Sequence, residues 1–414
     1  MIILSNRSVI QRLKTYLFLL FCFSIPISQL ASSRLLILLS IVSLFVGHRP
    51  FQWENFIQQW WDIAFYFLVL VAGVAYSQNT DLGFRQLETS LCLLALPLVV
   101  YKLGPLYKQN LTQVFQAFVA GLTVACATCL GVAFYHYSFS SQPSVDFFLY
   151  ENLTKIIDAQ PTYFGYYLVF GITFALYKFY FETHRRHLFI PVAAVVFFFF
   201  VLLLTGSQTV FISLLFVFSF FISKYLIQRT SKRESLAVIL VIAAIAILGT
   251  WTTWAPLQEG RDTHTDYWER FALWEAAVNA SSNIWVGVGT GDYEDALNQY
   301  YRGHQMGQFA QSNLNAHNQY VQLMLSNGIL GLVAFLVMMV RPLYLATASK
   351  DLLGVLLLYP FVLYGINEVF LGRYQGVVFF GLVHQTLIAY YAALPSAESA
   401  KLDNLQEPNA SVNI

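Results

Sequence analysis

The sequence predicts an all-α polytopic membrane protein with about twelve transmembrane helices and one large outer loop. Three observations carry this. Of 414 residues, 57% are hydrophobic and only 11% charged, against about 25% charged in soluble domains. Apolar runs recur along the chain at lengths that suit a bilayer. Basic residues alternate between the segments joining those runs, as the positive-inside bias demands.

The runs lie near 15–31, 34–47, 61–76, 89–103, 112–135, 162–181, 188–204, 209–227, 235–254, 318–340, 352–366 and 375–394. The second and eleventh are short, which tilt and bundling tolerate. The first follows Arg7, Arg12 and Lys14 and reads as a retained helix or as a signal peptide. The seventh and eighth are separated only by Thr205-Gly206-Ser207-Gln208. With the N-terminus inside, 16 of the 23 Lys and Arg residues fall on the inner side. Both termini are then cytoplasmic. The expected layout is nine spans over 1–254, an outer loop over 255–317 with amphipathic helices, three spans over 318–394, and a disordered cytoplasmic tail over 395–414. A net charge of +1 gives no electrostatic case for a nucleic-acid partner. Cys22, Cys92, Cys126 and Cys129 all fall in apolar runs and read as small buried hydrophobes.

Chemistry concentrates in the outer loop. Asp266 and Glu269 are spaced as a capping box, so a helix is expected from Tyr267. Arg270, Trp274 and Ala277 share one face of it. Arg270 is either a surface arginine paired with Glu269 or Glu275, or an arginine aimed at phosphate. The run Gly287-Val288-Gly289-Thr290-Gly291-Asp292 resembles a phosphate nest. Asp292, Glu294 and Asp295 would oppose an anion there, so Gly287, Gly289, Gly291 and Asp292 read as a structural turn, with Asp292 an N-cap. His317 is expected in the first turn of the tenth span, where the helix dipole favours the neutral imidazole that serves as a general base. Asn313 and Tyr320 would flank it on one helical face, and Gly328 and Gly331 would let that helix pack closely. The outer loops show no metal-ligand spacing.

An arginine with a tryptophan four residues on, alternating glycines, then His317-Asn318-Gln319-Tyr320 and Gly328-Ile329-Leu330-Gly331-Leu332 entering a membrane helix resemble the O-antigen ligase and polymerase superfamily. The likeness is best over 268–332 and looser at Tyr76–Pro97 and Pro161–Leu168. It implies a GT-C-type, metal-independent and cofactor-free inverting glycosyltransferase of the bacterial inner membrane, with a periplasmic active site. The donor would be an undecaprenyl-pyrophosphate-linked glycan and the acceptor lipid A core. By position, His317 and Arg270 match the family's catalytic histidine and loop arginine. Where many members carry Ser-Arg at the end of a mid-chain span, this chain has Ser207-Gln208. A pyrophosphate contact then falls to Arg85, Arg302, Arg373 or Gln208 itself. Asn318, Tyr320 and Glu368 are candidate substrate contacts, with a Glu368–Arg373 salt bridge as the alternative for Glu368.

Three other functions stay open. A polymerase shares this chemistry and differs in acceptor. A twelve-helix secondary transporter predicts ionisable residues and broken helices deep in the bundle, of which the spans show almost none. A scaffold for envelope proteins is a further class, in which His317 would be dispensable.

Overall fold

The computed structural model describes residues 2–45, 51–104, 108–181, 189–229, 267–281 and 283–394. Within them the chain is helical. The elements are α1 (Ile2–Ser24), α2 (Gln29–Phe45), α3 (Trp53–Ala75), α4 (Thr80–Ser90), α5 (Cys92–Leu103), α6 (Lys108–Phe139), α7 (Tyr150–Thr154), α8 (Pro161–Phe181), α9 (Phe189–Thr205) and α10 (Gln208–Arg229). After these come α11 (Tyr267–Ala280), α12 (Tyr293–Gly303), α13 (Gly307–Gln311), α14 (Gln319–Ala348), α15 (Leu352–Asn367) and α16 (Tyr374–Ala392). Among the described residues, four stretches are long and apolar enough to cross a bilayer: Trp53–Ala75, Thr80–Leu103, Gln109–Phe139 and Gln319–Ala348. The expected ninth span, Asp266 and the tail after Leu394 lie outside the described residues.

The thin break between the seventh and eighth runs is present. It falls where Gly206 takes φ +62°, between α9 and α10.

The bundle is organised around α16. Its residues from Gln375 to Ala389 are buried on every side, and it packs against α3, α4, α5, α6, α14 and α15. A helix apolar all round belongs in a core. α8 is buried likewise from Tyr163 to Ala175. Phe118, Tyr167, Phe170, Phe361 and Phe379 knit these helices by edge and stacked ring contacts. The four cysteines are buried thiols in this packing.

The expectation of almost no ionisable groups within the spans is corrected. Asp62 and His384 are fully buried, and His384 Nε2 lies 3.1 Å from Asp62 Oδ2. Arg341 donates to Asp62 Oδ1 at 2.8 Å, and to the Gln58 and Gln59 carbonyls. Those carbonyls flank a break in α3, where Trp60 leaves helical geometry at φ −125°, ψ 28°. The cluster fastens α3, α14 and α16 together. Sequence periodicity does not reveal it, because its members are up to 322 residues apart.

A second break shapes the site. α14 is interrupted at Gly328, with φ 64° and ψ −160°. A side chain there would run into the Trp285 carbonyl and the Val286 nitrogen. The expected close-packing pair Gly328/Gly331 is therefore a helix interruption at its first member. The outer loop fills it. Val288 and Gly289 N–H donate to the Leu325 and Ser326 carbonyls, both at 2.8 Å, and Ile329 N–H returns a bond to the Ile284 carbonyl at 2.8 Å. Backbone groups released by a break must find partners, and this loop supplies them.

Candidate active site

The glycine run is the clamp between loop and bundle. Gly287 and Gly289 adopt φ +71° and +115°, which favour glycine. Thr290 Oγ1 donates to the Leu70 carbonyl and accepts from Asn327 Nδ2. A side chain at Gly73 of α3 would collide with this pair. Asp292 stands at the N-cap position of α12 but makes no side-chain cap bond there. Its carboxylate instead accepts the Gln78 and Asn79 N–H groups, at 2.8 and 2.7 Å, at the start of α4. It serves a helix more than two hundred residues away, because a carboxylate suits the free amides at a helix N-terminus.

α11 begins at Tyr267 and buries Leu273, Ala276 and Ala277. Arg270 is half-buried on it. Its Nη1 donates to the Asn367 carbonyl at 2.9 Å and lies 3.3 Å from Asn367 Oδ1. Asn367 ends α15, where a cation meets the negative pole of the helix. Its observed partner is therefore Asn367 and not Glu269 or Glu275.

His317 lies outside helix α14, which corrects the expectation of a first-turn position. Asn318 is the N-cap of α14, its Oδ1 accepting from Tyr320 and Val321 N–H. Asn313 belongs to the preceding turn and shares no helical face with His317. His317 takes φ +43°, a strained conformation for a residue with Cβ. Side-chain amides hold it: Asn315 Oδ1 accepts from His317 N–H at 2.8 Å, and Gln322 Oε1 accepts from Ala316 N–H at 3.1 Å. Backbone strain maintained by a surrounding network points from geometry toward function.

The imidazole faces Glu368. His317 Nδ1 lies 3.5 Å from Glu368 Oε2, and Glu368 is 6% exposed. Glu368 Oε1 accepts Val369 N–H at 3.1 Å. Burial alone would push the Glu368 carboxyl up. The hydrogen bond and charge of His317, the Val369 N–H and the charge of Arg270 outweigh burial and hold it below the usual carboxylate range. Glu368 is thus paired with His317, with the Arg270 charge nearby, where the sequence offered Arg373.

The remaining expected contacts divide. Arg85 and Arg302 are exposed, on α4 and in the last turn of α12. Arg373 precedes α16 and borders a cavity of about 190 Å³ beside the His317 loop. Gln208 is the first residue of α10. Its neighbours Ser207 and Thr209 are buried, and Ser213 links α10 to Tyr166 of α8. Tyr166 in turn stacks on Tyr364 of α15 at 3.6 Å. Asn318 and Tyr320 are committed to structure, Asn318 as a cap and Tyr320 through a hydroxyl bond to the Val362 carbonyl.

Sequence reasoning passed over Asn315, Gln319, Gln322 and Asn367. A signal for two of them was present: Gln319, Gln322 and Ser326 form a polar stripe at helical spacing in an otherwise apolar segment.

No curated protein matches the chain. The family described as O-Antigen ligase matches residues 193–336, which hold Arg270, the glycine clamp and His317. Over that stretch, about a third of its length, the chain is similar to the O-antigen ligase family.

Proposed function

We propose that this protein is an O-antigen ligase. On this reading it moves a glycan from undecaprenyl pyrophosphate to lipid A core at the periplasmic face of the bacterial inner membrane. The observation that carries the reading is the pairing of His317 with buried Glu368, one residue from the Asn367 that anchors Arg270. Glu368 faces Nδ1, which leaves Nε2 for an acceptor hydroxyl. The carboxylate orients the ring and stabilises the imidazolium that forms, as an acid–histidine pair does in other folds. The acceptor oxygen bonds to the anomeric carbon as the carbon–oxygen bond to pyrophosphate breaks, with inversion. His317 takes the hydroxyl proton, and Arg270 offsets the negative charge collecting on the leaving group. One well-aimed donor of this kind contributes on the order of 3–4 kcal/mol.

Histidine base catalysis contributes about 10²–10⁴-fold. His317→Ala is accordingly expected to lose transfer by about that factor, and Arg270→Ala by a comparable one. Both are read by incubating purified protein with lipid-linked glycan and lipid A core. Full transfer by folded His317→Ala protein would remove the base assignment, and no transfer by the purified wild-type protein would favour the scaffold reading. Elongation of the lipid-linked glycan without lipid A core would make the protein a polymerase.

Asp62–Arg341–His384 and the broken α14 are features that a secondary transporter also shows. Their partners favour transfer chemistry. Both Asp62 oxygens are engaged by Arg341 and His384, and the Leu325 and Ser326 carbonyls at the break accept loop amides. Ion-driven uptake of solute into vesicles would reverse this preference.

A further inference from the structure

Beside the His317 loop lies an open cavity of about 190 Å³. Gln322 lines it and is 4% exposed. Its Oε1 is fixed by the Ala316 N–H at 3.1 Å. Its Nε2 is buried with no hydrogen-bond partner among the described residues. A buried donor left unpaired costs about 1–3 kcal/mol, so this amide is prepared for something that binds.

The rest of the wall indicates what. Gln319, Asn315 and Tyr293 bring neutral donors and acceptors, Glu294 a carboxylate, and Arg373 one guanidinium at the mouth. Both donors and acceptors are present, as hydroxyl groups require. Glu294 disfavours a phosphate. Arg270, assigned to the leaving group, does not line this cavity; His317 and Glu368 do not line it either, and the loop residues Asn313 and Asn315 on its wall bring it next to them. The Ala316–Gln322 bond ties the amide directly to the residue before His317.

We infer that this cavity holds an uncharged sugar ring of the acceptor, and that Gln322 Nε2 donates a hydrogen bond to one of its hydroxyls. Gln322 is then a specificity-determining residue. That the sugar is the acceptor's rests on the glycosyl-transfer reading. That the cavity takes a neutral sugar does not.

The experiment is saturation-transfer NMR on the full chain in lipid nanodiscs. Free glucose, galactose and N-acetylglucosamine are the probes, and inorganic pyrophosphate is the competitor. At least one sugar is expected to bind, and pyrophosphate to leave it in place. Gln322→Glu keeps the oxygen that holds Ala316 and removes the donor, so it should weaken that sugar at least about ten-fold. Gln322→Leu, checked for monodispersity, should do the same. His317→Ala should retain binding while losing transfer. Three results overturn the inference: no sugar bound at any attainable concentration, binding unchanged in Gln322→Glu, or displacement by pyrophosphate. Sugar binding by a wild-type protein that transfers no glycan would refute the enzymatic reading and leave the cavity assignment intact.

Discussion

At the scale of residues, His317 and Glu368 form the centre of the site, and each explains a feature of the other. His317 holds a positive φ because three neighbouring amide side chains occupy the surrounding N–H groups. Glu368 stays ionised although buried, because His317, the Val369 N–H and Arg270 compensate its lost hydration. A carboxylate whose folded-state pKa is depressed stabilises the protein fully above its unfolded value near ~4.3. That stability is lost as pH falls through the lower folded value. Glu368→Gln should therefore flatten the acid-side loss of thermal stability between pH 5 and the acid limit, measured by melting in detergent. It should also lower transfer at neutral pH by about ten-fold or more, since the ring loses its ionic partner. An unchanged melting-versus-pH profile would mean that Glu368 is not held ionised in the fold.

At the scale of elements, the interruption of α14 matters most. Gly328 turns the helix, and the Gly287–Gly291 segment occupies the gap by main-chain bonding. This explains why the glycines alternate with bulkier residues: close backbone approach is needed at each one, and it is not a phosphate that approaches. Gly328→Ala would place Cβ in the Trp285 carbonyl at a positive φ. It should destabilise by more than 1 kcal/mol and lower the melting temperature. Gly131 in α6 offers a control, because a Cβ there meets nothing within 4 Å. Gly131→Ala should be neutral, or stabilising by up to ~1 kcal/mol. Equal behaviour of the two variants would remove the special role of the break.

At the scale of the molecule, two fastenings set the geometry. Asp292 joins the outer loop to the start of α4, and Asp62 joins α3, α14 and α16. Since α14 follows His317 directly and α16 follows Glu368 closely, the Asp62 cluster ties together the helices that continue from the proposed catalytic pair. Asp62→Asn should destabilise by about 3–5 kcal/mol, because it leaves Arg341 and His384 without their ionic partner in a buried setting. Joint replacement by Asp62→Leu, Arg341→Met and His384→Phe should recover most of that loss, since apolar packing frequently matches a buried ion cluster. Chemical denaturation of the two variants checks this. A single mutant as stable as wild type would show the cluster to be incidental.

The sequence by itself determined the helical character, apolar stretches long enough to cross a bilayer and a helix over the Tyr267–Ala280 segment. These follow from apolar run length, capping spacing and composition, which are local properties. It also singled out Arg270 and His317, while leaving Glu368 between two partners and misplacing His317 by putting it inside a helix. Only the tertiary structure decided that Glu368 faces His317 across some fifty residues of chain, that Arg270 lands on Asn367, and that Asp292 holds the Gln78 and Asn79 amides just before α4. Only there do Asp62, Arg341 and His384 meet, and only there does Gly328 break its helix. The physical reason is common to all of these. Helical periodicity encodes neighbours three and four residues away, whereas a buried carboxylate's partner and a broken helix's replacement bonds come from segments that the sequence holds far apart.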